Sequence, residues 1–170
     1  MNNKLKIGLD IDGVLADFSL AWHNVYLEID PRPNTWFFDS KIKERFNNMR
    51  DNGTLNDFYL NIEPLLKPDD IPFEPYCYIT SRPVSKEISE QWLGKHGFPN
   101  KKVISLELKA SKVQAAKEAG VEIFIDDCYD NFVELNKGGI TTYLYTQPWN
   151  VKYDVGHMRI KSLKELPLFS

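Results

Sequence analysis

The feature that most constrains this chain is an alternation of short apolar runs with helical stretches through its C-terminal part. Tyr76–Ile79, Val103–Leu106, Val121–Ile125 and Ile140–Tyr145 are brief apolar runs, which predict strands. The last is β-branched and aromatic, as strands prefer. Between them, Ser85–His96 places Ile88, Trp92 and Leu93 at i, i+4 and i+5 and carries Gly94 and Gly97 near its end. Ser111–Ala119 opens on a capping serine and stops at Gly120, and Tyr129–Asn136 runs into Gly138-Gly139. These start and stop signals predict helices. An earlier segment, Lys4–Asp12, alternates with Leu5, Ile7, Leu9 and Ile11 on one face, a fifth strand. The order β-α-β-α-β-α-β implies an α/β fold, a parallel sheet with helices on its faces.

One stretch breaks the alternation. From about Asp17 to Asp70 there is almost no strand signal. Residues 17–29 read as a helix stopping before Pro31 and Pro33, Ile42, Phe46 and Met49 form a helical stripe, and Leu55, Phe58 and Tyr59 suggest another short helix. Roughly 50 residues between consecutive strands is far more than an ordinary βα connection needs. We therefore expect a small helical cap, residues 17–70, inserted after strand one into a core of residues 1–16 and 71–170.

Composition narrows the function classes. With 170 residues the chain is one domain with an insertion, and 42% hydrophobic and 26% charged residues are ordinary for a globular protein. The 21 Lys and Arg against 24 Asp and Glu give a net charge of −3, which argues against nucleic acid or a membrane surface as partner. No apolar stretch approaches a membrane helix, and Met1–Lys4 has no signal-like core. Cys77 and Cys128 have no metal-type spacing and are too few for a disulfide framework; both read as reduced thiols in a cytoplasmic protein. His23, His96 and His157 lack zinc-ligand spacing, and Walker A, GxGxxG and GxSxG patterns are missing. The chemistry must rest on carboxylates.

Asp10 and Asp12 end strand one; Asp126 and Asp127 end strand four. Open parallel sheets bind ligands beyond the carboxyl ends of their strands, where the strand order reverses. If those strands are neighbours, four carboxylates converge, and two charges about 4 Å apart repel by roughly 4 kcal/mol at an effective dielectric near 20. Such a cluster calls for a cation, and hard oxygen ligands point to Mg²⁺. Thr80 and Ser81, ending strand two, offer donors for a phosphoryl oxygen, and Lys109 or Lys112 can balance the remaining charge. Singly, each motif is an ordinary turn or cap. Together, at matching strand ends, they describe a phosphoryl-transfer site.

These residues resemble the haloacid dehalogenase-like (HAD) phosphatase superfamily. DIDGVLADF (Asp10–Phe18) matches its first motif, ITSRP carries the second at Thr80, Lys112 in ASKVQAAKEAG looks like the third-motif lysine with Lys109 the weaker choice, and IFIDD matches the fourth at Asp126-Asp127. The insertion and the IDD ending look most like the 5′(3′)-deoxyribonucleotidase group. The resemblance implies a Rossmann-like, HAD-like core and a Mg²⁺-dependent phosphatase of nucleoside monophosphates. It makes Asp10 the nucleophile that forms an aspartyl-phosphate. Asp12 is the general acid and base, its pKa expected to be raised by neighbouring carboxylates and partial burial. Mg²⁺ would be held by Asp10, the Asp12 carbonyl and Asp127, with Asp126 orienting a bound water. Thr80 and Ser81 would bind phosphate oxygens, Lys112 would bridge Asp10 and the phosphate, and Gly13 would let the backbone approach the phosphoryl group. Arg82 either reaches the phosphate or stabilises its loop. The resemblance also hints at a homodimer.

The cap bears on substrate. A helical lid suits a small nucleotide better than a polymer end. Its aromatics include Phe18, Trp22, Tyr26, Trp36, Phe37, Phe38, Phe58 and Tyr59. Most are expected to form the cap's own core, while Phe18, Trp22 or Trp36 are candidates to stack on a nucleobase, Phe18 first. Two alternatives stay open: a related phosphatase acting on a polynucleotide 3′-phosphate or a sugar phosphate, and a catalytically idle phosphate-binding module. The intact Asp10 and Asp12 pair speaks against the idle module. A receiver-type signalling domain would not place its acceptor in a DxD at strand one.

Overall fold

The structure, a computed structural model, describes residues 5–36, 40–108 and 110–167. Six strands form one all-parallel sheet: β1 (Ile7–Leu9), β2 (Cys77–Thr80), β3 (Lys102–Ser105), β4 (Ile123–Asp126), β5 (Thr141–Tyr145) and β6 (Arg159–Ile160), in the order β3-β2-β1-β4-β5-β6. Helices α4 (Lys86–Lys95), α5 (Lys112–Ala119) and α6 (Tyr129–Lys137) alternate with the strands. The fold is α/β and Rossmann-like. The chain builds outward from β1 through β2 to β3, then returns to the other side of β1 with β4, so the strand order reverses between β1 and β4.

Two strand expectations change. Strand one is not half-buried with one apolar face: Ile7, Gly8, Leu9 and Asp10 are all buried, as a central parallel strand covered by helices must be. Its alternation reflects packing space. The Phe124 ring lies against Gly8, where a Cβ would come within 2.8 Å of ring carbon Cδ2. The sixth strand, β6, has only two residues, too few to carry any period.

Between β1 and β2 lie α1 (Phe18–Tyr26), α2 (Ser40–Asp51) and α3 (Leu55–Leu60). The Asp17 side chain caps α1 by accepting from Leu20 N–H, and Arg32 clamps the same carboxylate at 2.6 Å. Ile42, Phe46 and Met49 are the buried stripe of α2, meeting Trp22, Phe58 and Tyr59 in one aromatic cluster. The outgoing and returning chains are zipped together at the neck of the insertion. Asp17 N–H donates to the Glu63 carbonyl at 2.9 Å, and Leu65 N–H to the Leu15 carbonyl at 2.7 Å. The cap is thereby seated directly over the reversal point. Among the described residues, no helix is long and apolar enough to cross a membrane.

Candidate active site

The carboxyl ends of β1 and β4 meet because the two strands pair, with Leu9 beside Ile125. One carboxylate oxygen each from Asp10, Asp126 and Asp127 falls within 4.8 Å of the others, and all three residues are buried. Lys112, the first residue of α5, reaches between two of them: its Nζ lies 2.8 Å from Asp10 Oδ2 and 2.7 Å from Asp126 Oδ2. The helix brings it there because Ser111 caps the N-terminus, accepting from Val113 N–H, while Gly120 closes the helix in the left-handed conformation. Lys109 lies outside the described residues, as do Phe37 and Phe38.

Electrostatics follow from this burial. Loss of solvent pushes the Asp10 carboxyl up to about 7; Lys112 pulls it down, and the Asp126 and Asp12 charges add to the rise. Asp127 is held well above the usual carboxylate range, first by burial and then by Asp126 and Asp10. Burial alone would lower the Lys112 ammonium, yet Asp10 and Asp126 hold it above its ordinary range. Three carboxylates against the one Lys112 ammonium leave the ionised cluster two positive charges short, and a divalent cation would reverse the rise in both acids.

The two acids ending β4 have different surroundings. Asp126 is fully satisfied by protein: its oxygens accept from Lys112, Cys128 N–H and Asn131 Nδ2. Asp127 lines the cavity, accepts from the Trp149 indole N–H at 2.9 Å, and has its carbonyl held by Asn150 Nδ2 at 2.8 Å. Asp10 and Asp127 are therefore the carboxylates that fit a cation from the cavity side. Among the described residues no group donates to the Asp12 carbonyl, which adds a neutral oxygen. Three oxygens of this kind suit Mg²⁺, which keeps several waters.

Gly13 adopts φ +81°, and a Cβ there would run into the Asp127 carboxylate. Only glycine permits both the turn and that approach. Its carbonyl accepts from Gln147 Nε2 at 2.8 Å.

The cavity has a volume of about 500 Å³, of the size that takes a small molecule. Asp10, Asp12, Lys112 and Asp127 form its polar end together with Thr80 and Ser81. Phe18, Trp36, Phe46 and Tyr59 line it from the cap side, and Cys128, Asp130, Asn131 and Glu134 from the start of α6. Cys128 carries a thiol that burial pushes up to about 12, which makes it a packed, unreactive group.

Three expectations are corrected. Asp12 is not surrounded by carboxylates: the Arg82 guanidinium grips it, with Nη2 2.7 Å from Oδ1 and Nε about equidistant from both oxygens at 3.1 and 3.0 Å. Arg82 itself is enclosed and is not among the residues that line the cavity; its guanidinium goes to Asp12. Trp22 is fully buried among Phe18, Tyr26, Phe46 and Phe58 and presents no face to a base. Phe18 does line the cavity while packing on Trp22, Phe46, Phe58 and Tyr59 at centroid distances of 5.9 to 6.3 Å, and Trp36 lines it with 47% of its surface exposed. Sequence reasoning missed Asn131, Gln147, Trp149 and Asn150. Asn131, five residues beyond Asp126 on the following helix, had a readable spacing; the other three lie in an irregular loop after β5 with no periodic signal.

No protein-family model matches the chain, and no curated protein matches it.

Proposed function

We propose that this protein is a Mg²⁺-dependent phosphatase of nucleoside monophosphates, a cytoplasmic enzyme of the HAD-like superfamily acting through an aspartyl-phosphate. The observation that carries the reading is the convergence of Asp10, Asp127 and Lys112 at the strand-order reversal, facing one capped cavity. A carboxylate lining a phosphate site repels its ligand, which gains a mere binding module nothing, so Asp10 at the cavity supports a nucleophile over an idle module.

In this reading an Asp10 oxygen attacks phosphorus in line, forming the acyl-phosphate bond as the ester P–O bond breaks, and Asp12 gives its proton to the departing alkoxide. Asp12 then takes a proton from the water that cleaves the acyl phosphate. Thr80 and Ser81 bind phosphoryl oxygens, and Lys112 neutralises Asp10 and Asp126. Asp10, Asp127 and the Asp12 carbonyl would hold Mg²⁺, which would supply charge neutralisation to the phosphoryl group. The aromatic cap side, Phe18 and Trp36, favours a flat, uncharged leaving group such as a nucleoside over a bare sugar.

The test is phosphate release with Mg²⁺ from deoxy- and ribonucleoside 5′- and 3′-monophosphates, p-nitrophenyl phosphate, a sugar phosphate and a 3′-phosphorylated oligonucleotide. Nucleotide turnover well above the others, abolished by Asp10→Asn with the fold unchanged and by excess chelator, is the expected result. Turnover of the aryl phosphate alone removes the nucleotide assignment. Activity that persists in Asp10→Asn removes the aspartyl-phosphate, and activity that persists in chelator removes the metal.

A further inference from the structure

Arg82 is a fully enclosed charged side chain beside the site, with 0% of its side chain exposed against 24% for its partner Asp12. Its planar group stacks on two rings, Tyr59 and Trp92, each centroid 5.0 Å from Cζ. The two rings come from different parts of the molecule: Tyr59 from α3 in the cap, Trp92 from α4 in the core. Trp92 is in turn fixed by its indole N–H, which donates to the Ile62 carbonyl, on the chain returning from the cap, at 2.8 Å. Nε and Nη2 are both directed to Asp12, while Nη1 has no hydrogen-bond partner among the described residues.

A partly exposed aspartate on a turn has several rotamers open to it. A guanidinium fork that contacts both oxygens fixes the carboxylate's plane as well as its place, which a lysine, as a point charge, does not do. The fork is itself held by aromatic faces above a buried floor. We propose that Arg82 is the positioning residue for Asp12, and that the cap sets this position through Tyr59. The proposal rests on the phosphatase reading, in which Asp12 hands its proton to the leaving group. Asp12 is then held for transfer by a guanidinium packed between α3 of the cap and α4 of the core.

Leaving-group chemistry tests this. An alkoxide leaving from a nucleotide needs a proton, whereas p-nitrophenolate leaves without one. A well-placed general acid is worth ~10²–10⁴-fold. Arg82→Lys is therefore expected to lower kcat/KM, which reports the steps through departure of the leaving group and not the shared hydrolysis of the acyl phosphate, by roughly 10²-fold on the nucleotide and far less on p-nitrophenyl phosphate. Asp12→Asn shows the same selectivity, and adding Arg82→Lys to it lowers nucleotide turnover little further, because both act through one proton. Tyr59→Leu gives the same selective loss in smaller measure and decides the matter where Arg82→Lys does not fold. Equal losses on both esters in a variant with native near-UV circular dichroism overturn the role, as does a rise in both KM values, which would make Arg82 a phosphate contact. A wild-type protein inactive on both esters overturns the phosphatase reading and the role with it. Wild-type turnover with equal losses overturns the role alone.

Discussion

Lys112 is the residue on which the site's charge balance turns. Its ammonium is buried and sits between Asp10 and Asp126, with the Phe124 ring 5.5 Å below it. Removing one partner of a buried ion pair costs about 3–5 kcal/mol, because the remaining charge is left without water or countercharge. Lys112→Met keeps the length and loses the charge, so the cost is electrostatic. We expect this variant to be destabilised by about 3–5 kcal/mol at neutral pH, and by less at pH 5, where Asp10 takes up a proton. Chemical denaturation at both pH values measures it, and an equal loss at the two would assign the effect to packing. Lysine, aspartates and the Gly13 turn were legible in the sequence because each is a short motif placed by a strand end. The Arg82 grip on Asp12 was not, because it joins residues 70 positions apart through two rings whose approach only the folded cap determines.

At the scale of elements, the site is held from behind by the loop after β5. Within four residues it supplies Gln147 to the Gly13 carbonyl, Trp149 to Asp127 and Asn150 to the Asp127 and Tyr145 carbonyls. Arg159, in β6, braces Asn150 in turn at 2.9 Å, which gives the two-residue sixth strand a purpose beyond the sheet. Groups that orient a metal-binding carboxylate are commonly worth 10–100-fold in metal affinity. Trp149→Phe retains a ring opposite Trp36 and removes the N–H, so Mg²⁺ affinity is expected to fall by about tenfold or more with the fold intact. Titration of thermal stability with Mg²⁺ reads this directly; an unchanged midpoint would leave Trp149 a packing residue. The helices around the site were predictable because their caps are local, as Ser111 and Gly120 of α5 show. The loop was not, since its side chains act on backbone groups far away in sequence and follow no period.

For the molecule as a whole, the cap neck, the core and the acids at their junction form one linked system, and in the proposed reading its stability depends on protons and cation together. In the unfolded chain Asp10 ionises near the ordinary carboxylate value of about 4; in the folded, cation-free protein burial holds it at about 7. The folded state binds that proton more tightly, so Asp10 contributes stability that is complete below the unfolded value and is lost as pH rises through about 7. Asp127 adds to the same trend, being raised in the same direction by burial and its acidic neighbours. A cation needs both acids ionised and must displace their protons, so its binding tightens as pH rises. The two dependences oppose each other. Raising pH from 6 to 8 should therefore lower the melting temperature contributed by this cluster in chelator, and should enlarge the upward shift that a fixed excess of Mg²⁺ produces. Asp10→Asn, which leaves Asp127 as the acid with a proton to release, should show a smaller Mg²⁺ shift with a weaker dependence on pH. A shift of equal size at both pH values in the wild-type protein would place the bound cation away from Asp10 and Asp127.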